Sequence, residues 1–423
     1  MKNYLLIFLL LFLPLAAPLL NANNNIAEQS TLTIKARVVA EDSRQPLNNA
    51  SIAVEDLNIS TVSNQDGFFS LRVPGSARKS TLIIRFLGYE NKELSVESLI
   101  SNTDVEILMT PSPIALGPLE VVSGDGSALI RDALRLVPQN YSSNPEMMVA
   151  FYRESIKKGG NYISLVEAVL DIYKASYRSY NEDQAKIYIG RKATDVSPRD
   201  TVLMKFQGGI SAALMLDLAK HPEIVFGELG EDYSFHIERM ININNKPHYV
   251  IRFQQMPYIT EILFRGTIYL DAASLAFARV EFNMNVEGRK EASRIFIRKK
   301  PAKMKADVEE VGYVVDFIEQ DGKWHFNYSS TDLKFKVRWT NRFFGLFSTT
   351  YTISSEIAIT DRYENGVNKF PRNERIRSSD VIAEKVEHFR NPDFWGDYNV
   401  IEPDIEITKA INKLSNKLLR RNQ

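Results

Sequence analysis

The stretch that decides the fold is residues 249–282, which read YVIRFQQMPYITEILFRGTIYLDAASLAFARVEF. It contains three runs rich in β-branched and aromatic residues, the composition that strands favour: 249–253, 262–270 and 276–282. Asp271 and Ser274, between the second and third runs, can bond to local backbone amides and so favour a chain reversal. These features predict three consecutive antiparallel strands.

The alternation of side chains in the third run indicates a half-buried sheet. One face would carry Ala276, Ala278, Val280 and Phe282, whereas Arg279 and Glu281 fall on the other, which is a period of two. Further strand runs lie before and after it, at 148–157, 162–173, 185–191, 233–243, 313–319, 323–328 and 350–360. We therefore place this hairpin at the centre of a large antiparallel β-meander.

Helical segments are few. We expect an amphipathic helix over 128–137 with Ser127 as its N-cap, because serine often accepts a hydrogen bond at that position. A second helix is expected over 209–219. A third is expected over 404–419, where Ile407, Ile411 and Leu414 recur at helical spacing. The last two helices are expected to cover the concave side of the sheet.

The region before the meander has short strand patterns separated by turns, which is typical of a small β-sandwich. The expected strands are 32–39, 51–54, 69–73, 81–87 and 105–109. Within one turn, Gly67 can adopt a positive φ at no steric cost. The sequence therefore predicts a mainly β protein, with a sandwich followed by a larger sheet that is packed by helices.

Several motifs of this region, taken in order, resemble those of the carboxypeptidase-like regulatory domain family. They are Val38-Val39, Pro46-Leu47-Asn48-Asn49-Ala50, Asp66-Gly67-Phe68-Phe69, Leu71-Arg72-Val73-Pro74 and Phe86-Leu87-Gly88-Tyr89. Residues 119–122 resemble the segment that commonly follows this domain, whereas Ala36 stands where the family usually has glycine. The resemblance implies a prealbumin-like β-sandwich of the kind found in envelope proteins of Bacteroidetes-type bacteria. It implies no catalytic residues.

The N-terminus predicts a secreted chain. Lys2 precedes an apolar run over 5–13, and small polar residues follow it. The run is shorter than the roughly 20 residues of a membrane span, so we interpret residues 1–22 as a signal peptide. We expect a periplasmic or outer-membrane-associated protein with no transmembrane segment after signal removal. Its predicted parts are a sandwich over 30–111, a linker over 112–127 and a sheet-and-helix domain over 128–423.

Composition excludes several kinds of chemistry. Lys plus Arg and Asp plus Glu number 52 each, so no net charge attracts nucleic acid. Cysteine is absent, which excludes disulfides, thiolate zinc sites and cysteine nucleophiles. The five histidines, none of them in a His-x-x-Glu or His-x-x-x-His pattern, are His221, His236, His248, His325 and His388. We expect neither a catalytic metal nor a cofactor. With a two-residue loop at 244–245, His236 would oppose Phe253 and His248 would oppose Ile241.

One segment keeps an enzymatic alternative open. Residues 209–213 read GISAA and approximate the Gly-x-Ser-x-Gly nucleophile elbow, with Ser211 as the nucleophile. That motif requires the end of a parallel strand in an α/β sheet, whereas the surroundings here are typical of an antiparallel meander. Helix entry is therefore the favoured interpretation. A serine or carboxylate hydrolase with a site near Ser211 remains the alternative function.

The favoured function is binding. A large twisted sheet with few helices is expected to leave apolar surface uncovered on its concave side. The residues expected to line such a groove are Ile262, Phe264, Ile268, Leu270, Val280 and Phe282, together with Trp324 and Phe326. Its occupant would be a lipid-like molecule or a hydrophobic segment of an envelope protein. A fully packed core is the alternative, and in that case the outer face of the sheet would do the binding.

Overall fold

The computed structural model describes residues 31–102, 105–112, 125–195, 209–227, 232–243, 246–297, 304–339, 348–388 and 394–421. The predicted signal peptide, residues 119–122 and most of the predicted linker lie outside these ranges. The division into two domains at 112–127 therefore stays a prediction. Within the described ranges, no helix combines the length and the apolar character needed to span a membrane.

The N-terminal part is a β-sandwich, as predicted. Its strands are β1 (Thr31–Ala40), β2 (Ser51–Val54), β3 (Ile59–Val62), β4 (Phe68–Pro74), β5 (Thr81–Arg85), β6 (Lys92–Ser95) and β7 (Val105–Met109), with a short helix α1 (Val96–Ile100) after β6. One sheet has the order β4-β1-β7 and the other β3-β2-β5-β6. Phe69, Leu71 and Val73 are buried between them, as their alternation predicts. The sequence did not reveal β3 or β6, because neither shows a clear apolar alternation.

A close approach of two chain segments explains the glycine in the sandwich's Asp-Gly motif. Gly67 has a φ of 82°, and a Cβ atom there would lie 2.4 Å from the carbonyl oxygen of Val38. Asn64 holds the same turn, because its Oδ1 accepts hydrogen bonds from the backbone nitrogens of Asp66 and Phe68. Only glycine fits this position without moving β1.

The large sheet contains the remaining strands: β8 (Glu146–Lys158), β9 (Asn161–Lys174), β10 (Gln184–Thr194), β11 (Tyr233–Ile243), β12 (Lys246–Gln255), β13 (Phe264–Asp271), β14 (Phe277–Met284), β15 (Met304–Gln320), β16 (Lys323–Trp339), β17 (Ser348–Tyr363) and β18 (Glu387–His388). Their order is β11-β12-β13-β14-β15-β16-β17-β8-β9-β10-β18. Neighbouring strands are antiparallel except β18, which runs parallel to β10. The predicted meander is confirmed.

The hairpin of residues 249–282 is not at the centre of this sheet, contrary to the prediction. Its strands β12, β13 and β14 are second to fourth from one edge, and β16 is in the middle. The reason is that β8 pairs with β17. Strands β8, β9 and β10, which precede the hairpin in the chain, therefore extend the sheet on the far side of β17. This pairing joins segments that are far apart in the sequence.

The Asp-Gly turn between β15 and β16 has the geometry that this dipeptide favours, whereas the pairing of β11 with β12 differs in part from the prediction. Asp321 and Gly322 have φ values of 51° and 71°, as a type I′ turn requires. His248 lies opposite Ile241, as expected, whereas His236 lies opposite Arg252 rather than Phe253. A β-bulge between Ile237 and Arg239 inserts one residue into β11 and shifts the pairing beyond it.

The helices of the larger part are α2 (Ser127–Asn140), α3 (Gly209–Met215), α4 (Glu223–Phe226), α5 (Ser293–Phe296), α6 (Ile382–Lys385) and α7 (Ile405–Arg421). Ser127 is not an N-cap; it lies within α2, and its backbone nitrogen donates to Asp125 Oδ1 at 2.9 Å. The α3 helix ends at Met215 rather than at residue 219, because the chain then turns and buries the carboxylate of Asp217.

Different elements cover the two faces of the large sheet. Side chains of α2, α3 and α4 pack with Val166, Ala168 and Leu170 of β9, and we call this side the helix face. The α7 helix does not lie there, contrary to the prediction. Its Ile407 and Ile411 pack on Leu165. The Leu165 side chain leaves β9 on the side opposite to Val166, Ala168 and Leu170. We call this opposite side the outer face.

The sandwich also packs on the outer face. Val62 of β3 clusters there with Phe151, Val169, Ala358 and Trp395. Hydrogen bonds reinforce the contact and are made by Ser60 Oγ to the Ile359 oxygen (2.8 Å), by Thr61 Oγ1 to the Val400 oxygen (3.3 Å) and by the Ile405 nitrogen to Asp66 Oδ2 (2.9 Å). The sandwich, the large sheet and the start of α7 therefore meet at one junction.

Candidate functional site

A cavity of about 300 Å³ lies at the junction between the sandwich and the large sheet. We call it the junction cavity. Its walls combine amide, hydroxyl, charged and aromatic side chains. The sandwich contributes Asn49, Ser51, Arg85, Phe86 and Asn91, and the sheet contributes His248, Arg279, Asp316, Trp324 and Tyr328, among others. This volume lies at the lower end of the range for small-molecule sites.

Some polar side chains around the cavity have an atom without a hydrogen-bond partner. His248 is the most buried of them. It lies on β12 and is 1% exposed. Its Nδ1 is 2.9 Å from the carbonyl oxygen of Lys246, so we assign the proton to Nδ1. Burial lowers the pKa of His248, which leaves the ring neutral at pH 7 and Nε2 as a hydrogen-bond acceptor. Asp271 Oδ2 lies 3.9 Å from Nε2, beyond hydrogen-bond distance.

Two further polar atoms of the same walls have no partner. Ser51 Oγ, Asn91 Oδ1 and His248 Nε2 are all buried and make no hydrogen bond to any described residue. Buried polar atoms in native proteins are nearly always hydrogen-bonded. An unpartnered one destabilises the fold by about 1–3 kcal/mol. The three residues that carry these atoms all line the junction cavity.

The charged side chains on the sheet side of the cavity neutralise one another. Arg279 Nη1 donates to both carboxylate oxygens of Asp316 at 2.8 Å, and Arg279 Nε donates to Glu281 at 2.6 Å. Lys246 forms an ion pair with Glu319. Burial raises the pKa of Asp316, although Arg279 opposes that shift. This side of the cavity therefore presents paired charges rather than a field of one sign.

A second cavity of about 300 Å³ adjoins the junction cavity and shares Asn49 and Tyr328 with it. Its walls are rich in hydroxyl and amide groups, from Ser155, Ser330, Thr352, Ser354, Asn48, Asn64 and Gln65. Arg153 also lines it and is fixed by three groups, Glu167 (2.9 Å), Glu356 (3.2 Å) and the Ile401 oxygen (2.7 Å). The junction therefore offers a continuous polar surface on the outer face.

The residues predicted to line an apolar groove lie mostly inside the core. Those that are buried on the helix face are Ile268, Leu270, Val280, Phe282, Trp324 and Phe326. Ile262 and Phe264 are half-buried. Phe264 makes edge contacts with Phe282 and Tyr313, at 5.4 and 6.0 Å between ring centroids. A ligand groove at these residues stays a prediction, and Trp324 is the member of the set that also lines the junction cavity.

Ser211 lies within α3, which follows no parallel strand of the described sheet. It lines another cavity, together with His221 and Asp183. His221 Nδ1 is 3.3 Å from Glu223, and Asp183 accepts a hydrogen bond from Lys174 at 2.6 Å. Among the described residues, Ser211 Oγ has no hydrogen-bond partner, so these contacts do not assemble a nucleophile, base and orienting carboxylate. Nor does the described part of the chain contain three acidic or histidine side chains placed to hold a metal ion.

Ser51, Asn91 and His248 were not predicted as site residues. The sequence marks His248 only as a possible metal ligand, and its position inside an apolar strand is the signal that distinguishes it. Ser51 and Asn91 carry no sequence signal, because their role depends on which face of the sheet the sandwich covers.

Comparison with known proteins identifies the N-terminal region. Residues 34–121 match the family model of the CarboxypepD_reg-like domain, which confirms the resemblance noted in the sequence. No curated protein matches the chain. Among solved structures, a DUF1329 family protein from Desulfovibrio piger is similar at 14% identity and a TM-score of 0.24, over 58% of this chain and 96% of that chain.

Two other solved structures show weaker likenesses. A LolA superfamily protein from Nitrosomonas europaea has 8% identity and a TM-score of 0.21, over 60% of this chain and 99% of that chain. A protein from Bacteroides fragilis, described as membrane-associated and of unknown function, has 8% identity and a TM-score of 0.15, over 79% of this chain and 99% of that chain. TM-scores of this size support no conclusion about function.

Proposed function

We propose that this chain is a non-enzymatic binding protein of the bacterial envelope, and that the junction cavity is its ligand site. The observation that carries the proposal is the set of three unpartnered buried atoms, His248 Nε2, Ser51 Oγ and Asn91 Oδ1, around one cavity. A ligand that donates hydrogen bonds to them removes an unfavourable contribution of about 1–3 kcal/mol for each atom.

The walls define the chemistry of the ligand. His248 Nε2 and Asn91 Oδ1 can only accept, so the ligand must donate hydrogen bonds. The charges on the sheet side are paired, which favours a neutral ligand. Trp324 and Phe86 add flat apolar surfaces. A single sugar unit combines hydroxyl donors with an apolar C–H face and suits a cavity of about 300 Å³. The proposed ligand class is therefore a neutral sugar.

An envelope location is supported by two features of the sequence. One is the predicted signal peptide over residues 1–22. The other is the match of residues 34–121 to the CarboxypepD_reg-like domain, a family whose resemblance implies envelope proteins. Binding at the outer face also agrees with the alternative drawn from the sequence, in which a packed core leaves that face to do the binding.

Calorimetry tests the proposal with glucose, galactose, mannose and N-acetylglucosamine at millimolar concentrations. At least one sugar is expected to bind, and both His248→Phe and Asn91→Leu should weaken its binding by about tenfold, the equivalent of one lost hydrogen bond of about 1.4 kcal/mol. His236→Phe is the matched control, because His236 is exposed on the neighbouring strand. Absence of binding by every sugar, or unchanged affinity in both cavity variants, would contradict the proposal.

The apolar groove is the second candidate site. Phe264 packs against members of two core clusters but is only half-buried. It is therefore one of the more accessible residues predicted to line the groove. Native mass spectrometry should detect a co-purified lipid if the groove is occupied, and Phe264→Asp should remove that adduct. The hydrolase alternative has its own test, since a fluorophosphonate probe that labels Ser211 would overturn the non-enzymatic proposal.

A further inference from the structure

A larger cavity of about 630 Å³ lies on the other side of the molecule's large sheet, beside α3. It is bounded by α3, by the turn that carries His221, and by residues 372–378. None of its lining residues lines the junction cavity, so it is a separate site. We call it the arginine cavity.

Three arginines line this cavity: Arg372, Arg375 and Arg377. Arg375 is half-buried, and its Nε donates to the carbonyl oxygen of Phe370 at 2.7 Å, which fixes the guanidinium and leaves its terminal nitrogens for another acceptor. None of the three forms an ion pair within 4.0 Å with a described residue. Arginine presents a planar fork of donors that suits carboxylate and phosphate oxygens.

The acidic side chains near the arginines compensate them only in part. Asp183 is already engaged, because it accepts from Lys174 Nζ at 2.6 Å and from the backbone nitrogen of Ala175 at 2.9 Å. Glu182 is exposed at the rim. Asp380 lies beside the cavity, where its Oδ2 accepts from the Arg377 backbone nitrogen at 2.9 Å, but it is also paired with Lys385 at 3.2 Å. The lining itself carries three arginines and two carboxylates, one of them engaged by Lys174, which leaves an excess of positive charge. Ser211 Oγ adds a hydroxyl donor without a partner among the described residues.

The other wall of the cavity is apolar. Leu214, Met215 and Ile376 line it, and Met215 is 44% exposed. A methionine side chain is flexible and polarizable, so it adapts to ligands of varied shape. Apolar contact and anion recognition are therefore available within one cavity.

We propose that the arginine cavity binds an anionic amphiphile. Its oxyanion head, a carboxylate or a phosphate monoester, lies on Arg372, Arg375 and Arg377, and its acyl chain lies along Leu214, Met215 and Ile376. Ser211 donates a hydrogen bond to the head and is not a nucleophile. This site is independent of the sugar site at the junction.

Calorimetry with four probes tests the proposal. Dodecanoate and dodecyl phosphate are used below their critical micelle concentrations, dodecanol below its solubility limit, and inorganic phosphate serves as the head group alone. Dodecanoate or dodecyl phosphate should bind, with an affinity that falls as salt is raised. Dodecanol and inorganic phosphate should each bind at least about tenfold more weakly, because each lacks one half of the ligand. Equal binding by dodecanol, or by inorganic phosphate, would overturn the proposal.

Two variants locate the site. Arg372→Gln/Arg377→Gln should weaken binding of the anionic amphiphile by about tenfold or more, since hydrogen bonds to charged groups are lost. Arg252→Gln/Arg265→Gln is the matched control, because it removes two exposed arginines from β12 and β13. Met215→Asp should also weaken binding of the amphiphile. Circular dichroism confirms folding of each variant, and unchanged affinity in both site variants would overturn the assignment.

Discussion

Lys174 and Asp217 form a buried ion pair, with Nζ and Oδ2 2.5 Å apart and both side chains at most 2% exposed. The pair joins β9 to the turn after α3. Asp183 also contacts Lys174 Nζ, at 2.6 Å, and Tyr177 donates its hydroxyl proton to Asp217 at 2.6 Å. Burial alone would lower the pKa of Lys174, but the two carboxylates raise it above its ordinary value. The lysine is therefore charged throughout the physiological range.

Lys174→Met is expected to destabilise the protein by about 3–5 kcal/mol, because it leaves the buried carboxylate of Asp217 without its cation and Asp183 with only Lys220, at 3.7 Å. Urea denaturation measures the loss. The double variant Lys174→Met/Asp217→Leu should recover part of it, since one of the uncompensated charges is removed with the lysine. If the double variant loses as much free energy of unfolding as the two single variants together, the two side chains are not coupled.

Stability should decrease as the pH falls from 7.5 to 5, and His248 should account for part of the decrease. Burial lowers the pKa of His248 below the value of about 6.5 that it has in the unfolded chain. Below pH 6.5 the unfolded chain therefore binds more protons than the folded one, so the free energy of unfolding falls with the pH. Comparison of urea denaturation at the two pH values should give a smaller decrease for His248→Gln. The same decrease as in the unsubstituted protein would contradict this role, and His236→Gln is the control.

Gly266→Ala should be strongly destabilising, whereas Gly312→Ala should be mild. A Cβ atom at Gly266 would lie 2.1 Å from the Glu281 oxygen and 2.7 Å from Phe282 Cα, so the β13 and β14 backbones would have to separate. At Gly312 the contact is with a side-chain oxygen, Asn283 Oδ1, at 3.1 Å, and that group can move. We expect a loss of about 1–3 kcal/mol or more for Gly266→Ala in thermal or urea denaturation. Equal losses of stability in the two variants would show that β13 and β14 do not pair in the register described.

Limited proteolysis tests the proposed division into two domains. Thermolysin, which cuts at apolar residues, should cleave the native protein first between residues 111 and 127, where proline and glycine interrupt the chain. Mass spectrometry of the first fragments identifies the site. First cuts inside 262–282 would contradict the division, because that segment belongs to the large sheet.

The sequence by itself determined the local structure. The Asp271 turn, whose Oδ1 accepts from the Ala273 and Ser274 nitrogens, and the type I′ turn at Asp321-Gly322 depend on residues within four positions of one another. The alternation of β14 and the motifs of the sandwich are equally local. Each of these features has its energetic cause within the segment that displays it, so a pattern of residue types is sufficient to predict it.

Only the tertiary structure decided which segments meet. The pairing of β8 with β17 brings Arg153 to Glu356, 203 positions apart. The outer-face position of the sandwich creates the junction cavity, and that of α7 brings Ile407 to the second cavity. Helix packing buries most of the predicted groove. A helix with one apolar side can bury that side against either face of a sheet, provided that both faces carry apolar residues. The choice depends on the summed contacts of distant segments, and no short stretch of sequence contains that sum.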